Sequence, residues 1–333
     1  MSALASLGGV WPRKFNQERI VVVITCGLVV LFSLWLPSFR TASNLIALVQ
    51  NVSILGILGV AMALTIIARG IDLSIVANMA VSVAWVLQLS NHGVDLPIAI
   101  AAGFALAVGI GLINGLVIAY LEIPAIFATL AMASAAYGFV RAFLLQDNLV
   151  YLKAAEGTWF KWVGSGQIFG VPSPVIALVV VAFFAFLALR FTVPGRFLYA
   201  MGDNPAAART AGTPMRPMIV LQYGCAAAIS FVAGVVMATA VDSMETRVAR
   251  SNLVYDIILV VVIGGIGLSG GKGSVRNVLV GTMLIGVLLN GMTIMDVPYT
   301  LQNIVKSFIL LAAIIVDAAM NPRDEQTSQQ GDI

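Results

Sequence analysis

The stretch from Gly264 to Ser274 reads GGIGLSGGKGS and holds two arrangements of the kind that bind phosphate groups. Gly265-Ile266-Gly267-Leu268-Ser269-Gly270 formally satisfies G-x-G-x-x-G. A dinucleotide site also needs a strand before the glycines, a helix after them and an acid about 20 positions on. Here the next acid is Asp296, and apolar runs flank both sides. Gly271-Lys272 resembles the end of the loop G-x-x-x-x-G-K-[ST]. That match fails twice: five residues before Gly271 stands Ile266, and after Lys272 stands Gly273, which has no hydroxyl for magnesium. Any ATP chemistry therefore belongs to another subunit. The single histidine, His92, falls in a short loop, so a metal cluster or a Ser-His-Asp nucleophile has no basis. Cys26 and Cys225 lie in apolar runs without C-x-x-C spacing and read as small buried hydrophobes. No catalytic residue, metal site or cofactor is expected in this chain.

The elements that position the remaining candidates must be membrane spans. Of 333 residues, 60% are hydrophobic and 10% charged, which is too little charge for a water-soluble surface of this size. Mean hydropathy is +1.01. A span needs roughly 20 apolar residues, and runs of that order recur at 20 to 36, 45 to 68, 75 to 90, 96 to 120, 124 to 145, 174 to 190, 217 to 240, 254 to 268, 277 to 295 and 300 to 318. The first run, preceded by Arg13, Lys14 and Arg19, is long for a signal peptide and lacks a small-residue cleavage site, so it reads as an uncleaved span. The expected class is an all-α polytopic membrane protein of about ten helices. It comprises an N-terminal segment 1 to 19, a membrane domain 20 to 318 and a disordered polar tail 319 to 333.

Charge placement orients this bundle. With the N-terminus inside, Arg190, Arg196, Arg209 and Arg216 fall inside, as do Lys272, Arg276 and Arg323. Arg40 is an exception, and Arg247 and Arg250 fall outside, balanced by Asp242 and Glu245. The segment 146 to 173, with Trp159, Trp162, Asp147, Lys153, Glu156 and Lys161, falls outside and suits an interfacial layer. The positive excess speaks of membrane orientation, not of nucleic acid. No relay of acids or histidines runs through the spans, which weighs against a proton pump.

Three features carry a functional reading. Arg69-Gly70-Ile71-Asp72-Leu73-Ser74 separates the second and third spans. Gly70 permits a break, and Asp72 or Ser74 either caps the third span or meets a solute. Between Pro194 and Pro217, Asp203 or Asn204 can cap a two-turn helix that has Pro205 first and Gly212 as its stop. This is either a connection or a piece that seats in another protein's groove. Finally, Asn114-Gly115 with Pro124 and Thr129 echoes Asn290-Gly291 with Pro298 and Thr300 on an oppositely directed span, as in an inverted repeat. A competing echo pairs Gly70 to Ser74 with Gly265 to Ser269, out of register with the first.

Together with Asp296-Val297-Pro298 through Gln302, Ile304, Val305 and Lys306, these segments resemble the ribose/xylose/galactose-type sugar permeases of ABC importers over about residues 45 to 318. The resemblance implies a type II importer-like permease that works as a pair with two cytoplasmic ATPases and a periplasmic sugar-binding protein, in a bacterial inner membrane with both termini cytoplasmic. It implies that Gly202, Asp203, Asn204, Pro205, Arg209 and Gly212 form the segment that couples to the ATPase. Arg69 departs from the family pattern, which commonly has a small residue there. Candidates for the translocation path are Asp72, Ser74, Asn78, Asn114, Thr129 and Asn290, where neutral hydrogen-bonding groups suit a polyol; interhelical hydrogen bonding is their alternative role. The competing functional class is a secondary carrier with its own ion site and no ATPase, and a purely structural membrane protein is a third.

Overall fold

The computed structural model describes residues 17–154 and 157–320. Arg13, Lys14, Glu156, Arg323 and the tail from 321 lie outside the described residues. All ten expected runs are helical. They are α1 (Gln17–Trp35), α2 (Ala42–Ile67), α3 (Ile75–Asn91), α4 (Leu96–Tyr120), α5 (Ala125–Phe143), α7 (Ser173–Phe191), α10 (Met215–Ala240), α11 (Leu253–Ile263), α12 (Val275–Ile294) and α13 (Tyr299–Met320). Three short helices sit between spans: α6 (Trp159–Ser165), α8 (Val193–Asp203) and α9 (Pro205–Thr210).

Eight of the ten are long and apolar enough to cross a bilayer, whereas α3 and α11 are shorter. The 11 residues of α11 rise only about 16 Å. The run expected to end at 268 ends as a helix at Ile263, because Gly265 takes φ +102° and the glycine-rich segment follows. Every residue of α11 from Asp256 to Ile263 is buried, and so is nearly all of α2 beyond Val52. Both are therefore enclosed by protein, while α1, α4, α5, α7 and α13 keep large apolar side chains on the outside.

A stripe of small residues builds the densest contact. On α4, Ala99, Gly103, Ala107, Gly111, Gly115 and Ala119 recur every fourth position and are all buried. A Cβ on Gly111 would lie 2.5 Å from Ala227 Cβ, and one on Gly115 would lie 2.5 Å from Val220 Cα, both on α10. Small residues at that spacing let two helix backbones approach where the hydrophobic effect between spans is absent. The stripe is legible as periodic small residues, a signal that the reading by hydropathy passes over.

The contacts between loops sort into two ends. At one end the α2–α3 turn, α8 and the segment 264 to 274 touch one another, Asp317 reaches that segment, and Gln17 donates to the Val262 and Ile263 carbonyls just before it. At the other end β1 (Leu149–Tyr151) pairs antiparallel with β4 (Ser243–Glu245), and Asn91 Nδ2 donates to Tyr151 O. This alternation is the one that ten crossings require. The segment 146 to 173 carries β1, α6 and the hairpin of β2 (Gln167–Ile168) and β3 (Val171–Pro172). Trp159 and Trp162 are exposed on α6.

Several side-chain expectations change. Cys26 and Cys225 are free and exposed on the outer surface of their helices. Cys225 borders an apolar groove between α7, α8 and α10. Asp242 pairs with Lys161 at 2.9 Å, leaving Glu245 as the acid beside Arg247, while Arg250 stacks over Tyr137 at 4.4 Å. Among the described residues one buried ion pair joins two spans: Lys306 Nζ on α13 is 2.7 Å from Asp256 Oδ1 on α11, both largely buried. Each charge of this pair answers the other, which is how ionisable groups are accommodated inside a bundle. His92 ends α3 as an exposed loop residue, as expected.

Candidate functional site

The turn between α2 and α3 is where the sequence candidates meet. Arg69 N donates to Ile66 O and Gly70 N to Thr65 O, closing α2 with the paired bonds of a Schellman motif. Gly70 is required by its neighbours: a Cβ there would lie 2.5 Å from Tyr223 Oη and 3.2 Å from Gln222 Nε2. The chain then turns inward, and Asp72, 1% exposed, accepts from Ser74 N at 2.9 Å and from Ser74 Oγ at 2.6 Å. Of the two capping candidates it is thus Asp72 whose carboxylate takes an amide at the start of α3, a placement that the helix dipole favours.

Neighbouring spans close on this turn with neutral groups. Asn114 Nδ2 on α4 donates to Ser74 Oγ at 2.8 Å, and Leu73 N donates to Thr129 Oγ1 on α5 at 3.1 Å. One helical turn along α3, Asn78 Nδ2 donates to Ala107 O at 3.0 Å. Five of the six path candidates, Asp72, Ser74, Asn78, Asn114 and Thr129, therefore form one buried cluster. Asn290 does not join it. It exchanges two hydrogen bonds with Asn44 of α2, at 2.8 and 3.0 Å, near the opposite end of the bundle. The two echoing asparagines thus sit at opposite ends of oppositely directed spans.

Four buried oxygens around the turn have no hydrogen-bond partner among the described residues: the amide oxygens Asn78 Oδ1, Asn114 Oδ1 and Gln222 Oε1, and the hydroxyl Tyr223 Oη. Leaving a buried oxygen unpaired costs on the order of 1–3 kcal/mol, so such a group normally meets water or a ligand. Gln222 and Tyr223 escaped the sequence reading. The signal was a glutamine within the apolar run 217 to 240, where a polar side chain is costly unless it faces protein.

The stretch from Pro194 to Pro217 holds the expected short helix, α9, and a second helix, α8, ahead of it. Thr192 Oγ1 accepts from Gly195 N to open α8, a start that the Thr-x-Pro sequence carries. Asp203 is the last residue of α8, and it is Asn204 whose Oδ1 accepts from Ala207 N at 3.0 Å to cap α9. Pro205 is the first residue of α9, and Gly212, at φ +83°, ends the segment. Ala206, Ala207, Arg209 and Thr210 are exposed, and Ala208 is the buried side of α9. Arg209 borders an open cleft of about 430 Å³ with Glu122, Thr213, Met215, Arg216 and Pro217.

Segment 264 to 274 is tied to its neighbours by hydrogen bonds. Gly271 N donates to Ile67 O at 2.8 Å, Tyr199 Oη of α8 donates to Gly273 O at 2.8 Å, and Leu268 N donates to Asp317 Oδ2 at 3.3 Å. A Cβ on Gly202 would collide with Ile67 O and Gly271 N. The glycines thus let three backbones meet beneath the short helices. The apolar groove between α7, α8 and α10 has a volume of about 350 Å³, with Thr192 and Gln222 as polar members of its lining.

A family model described as "Branched-chain amino acid transport system / permease component" matches residues 44–314. The chain is 31% identical over 307 residues to the ribose import permease protein of Escherichia coli strain K12, covering 92% of this chain and 95% of that one. It is 29% identical over 312 residues to the galactofuranose transporter permease protein of the same strain, covering 92% and 90% of the two chains. With the L-arabinose ABC transporter permease protein of Azospirillum brasilense the identity is 32% over 314 residues, covering 93% and 89%. No solved structure matches significantly. Ten helical runs, a short exposed helix between them and these matches along nearly the whole length lead to one assignment: the chain belongs to the ribose/xylose/galactose-type family of ABC importer permease components, a family of multi-pass membrane proteins.

Proposed function

We propose that the chain is the membrane-spanning subunit of an ATP-driven importer, translocating a sugar or sugar-like solute delivered by a periplasmic binding protein across a bacterial inner membrane. The observation that carries this reading is α9, a capped, water-facing helix next to the turn that holds the buried polar cluster. In this reading the end of the bundle with α9, Gln17 and Asp317 is cytoplasmic. The exposed Ala206, Ala207, Arg209 and Thr210 seat on an ATPase subunit, and ATP is hydrolysed there. A second permease copy or paralogue completes the assembly, with membrane lipid around both.

The solute path has to bind weakly to release its cargo. The unpartnered oxygens of Asn78 and Asn114 suit the hydroxyls of an uncharged polyol, with Asp72, Ser74 and Thr129 holding them in place. Asn290 serves the opposite end. The names of the relatives favour a pentose or hexose, and the binding protein sets the choice.

The deciding experiment purifies the chain with its candidate ATPase and binding protein and measures ATP hydrolysis with D-ribose, L-arabinose and D-xylose. Stimulation by a loaded binding protein is expected, and none with any sugar overturns the importer reading. Arg209→Glu is expected to weaken ATPase association at least tenfold; undiminished association and stimulation would overturn the coupling assignment.

A further inference from the structure

The residue that closes α2 occupies a position that normally belongs to glycine. Arg69 has φ +64°, the left-handed conformation that the Schellman motif demands just past the helix end. Glycine adopts it without penalty, whereas any side chain pays a conformational cost. A residue held in a costly conformation is a reason to ask what its side chain does.

That side chain reaches across to another element. Nε donates to Gly202 O at 2.7 Å, and Nη2 donates to Asp203 O at 2.8 Å. These two carbonyls belong to the last turn of α8, where helix carbonyls lack intrahelical donors and the dipole is negative. A cation is favoured there, and the planar guanidinium satisfies two successive carbonyls at once, which an ammonium would do less well. Asn204, the cap of α9, is the next residue in the chain. The grip therefore sits at the hinge between α8 and α9.

The other side of the same turn is equally tied. Three residues beyond Arg69, Asp72 binds Ser74, and Ser74 accepts from Asn114 of α4. Leu73 is bonded to Thr129 of α5. A displacement of α9 thus has a continuous route, of hydrogen bonds joined by short stretches of backbone, into α3, α4 and α5, and the guanidinium is a link in it. Mere proximity of two sites would not establish such a route; here the links are bonds.

We infer that Arg69 is a positioning residue, a latch that locks the α8–α9 hinge to the α2–α3 turn so that movement of the coupling helix and movement of the buried polar cluster occur together. The inference rests on the importer reading for its functional meaning, but the latch itself is a property of the chain alone.

Arg69→Gly is the sharp variant, since it relaxes the backbone at φ +64° while removing the guanidinium. Hydrogen exchange of the purified full-length chain in nanodiscs is expected to accelerate at least fivefold over residues 199–210, with α3 unchanged. Arg69→Lys should fall between Arg69→Gly and the wild type. In the assembled importer, Arg69→Gly is expected to keep ATPase binding within twofold of wild type, yet to lose most of the stimulation by sugar-loaded binding protein. Unchanged exchange over 199–210 overturns the latch. Faster exchange with full stimulation overturns its role in transmission. A wild-type assembly without stimulation by any sugar overturns the importer reading instead, and the exchange comparison, which needs no partner, still decides the latch.

Discussion

Gly202 shows how one residue type can hold a junction together. Its missing Cβ makes room for the Ile67 carbonyl and for the backbone of Gly271, so three segments distant in sequence touch there. Gly202→Ala forces those backbones apart and is expected to destabilise the protein by about 1–3 kcal/mol, as overpacking does. Gly109→Ala is the control, because nothing lies within 4 Å of a Cβ at that helical position. It should stay within about 1 kcal/mol of wild type, helped by the better helix propensity of alanine. Thermal unfolding of the two purified variants makes the comparison, and equal melting midpoints would remove the packing role assigned to Gly202. At this scale the sequence was a good guide to residue types and a poor one to partners. Asp72, Ser74, Asn114 and Thr129 were all legible as candidates, but nothing local distinguishes Asn114, bonded to Ser74, from Asn290, bonded to Asn44.

Helices are positioned by what they share with one or two neighbours. The outermost, α13, packs chiefly against α11 and keeps Leu301, Ile304, Phe308, Leu311 and Ile315 on its outer face. Its polar anchors are the Lys306–Asp256 pair and the Asp317 carboxylate at Leu268. Breaking a buried pair by removing one partner leaves an uncompensated charge and costs about 3–5 kcal/mol, whereas replacing both by apolar groups is often neutral. Lys306→Met alone should therefore lower the melting midpoint sharply, and Lys306→Met with Asp256→Leu should restore most of it. If the double variant melts as low as the single one, the pair is not what seats α13. The existence of these helices followed from hydropathy. The end of α11 at Ile263 did not, since a bilayer-length apolar run and a short buried helix followed by glycines share the same composition.

Over the whole molecule, ten crossings place the segment 264 to 274 and the segment 146 to 173 on opposite faces of the membrane. A single cysteine at Lys272, in a background without Cys26 and Cys225, is expected to react with an impermeant maleimide only from the cytoplasmic side. One at Lys153 should react only from the periplasmic side. Labelling of both from one side would break the ten-span arrangement, and labelling with the sides exchanged would reverse the proposed orientation. Sequence by itself determined the membrane class and the existence of ten apolar helical runs, because these depend on hydropathy within about 20 residues. Tertiary structure alone decided which polar groups meet. The bonds from Arg69 to Gly202 and from Asn114 to Ser74 join residues 133 and 40 positions apart. Their formation depends on how closely the small-residue face of α4 and the glycines at 202 and 271 let backbones approach, a distance that no local pattern encodes.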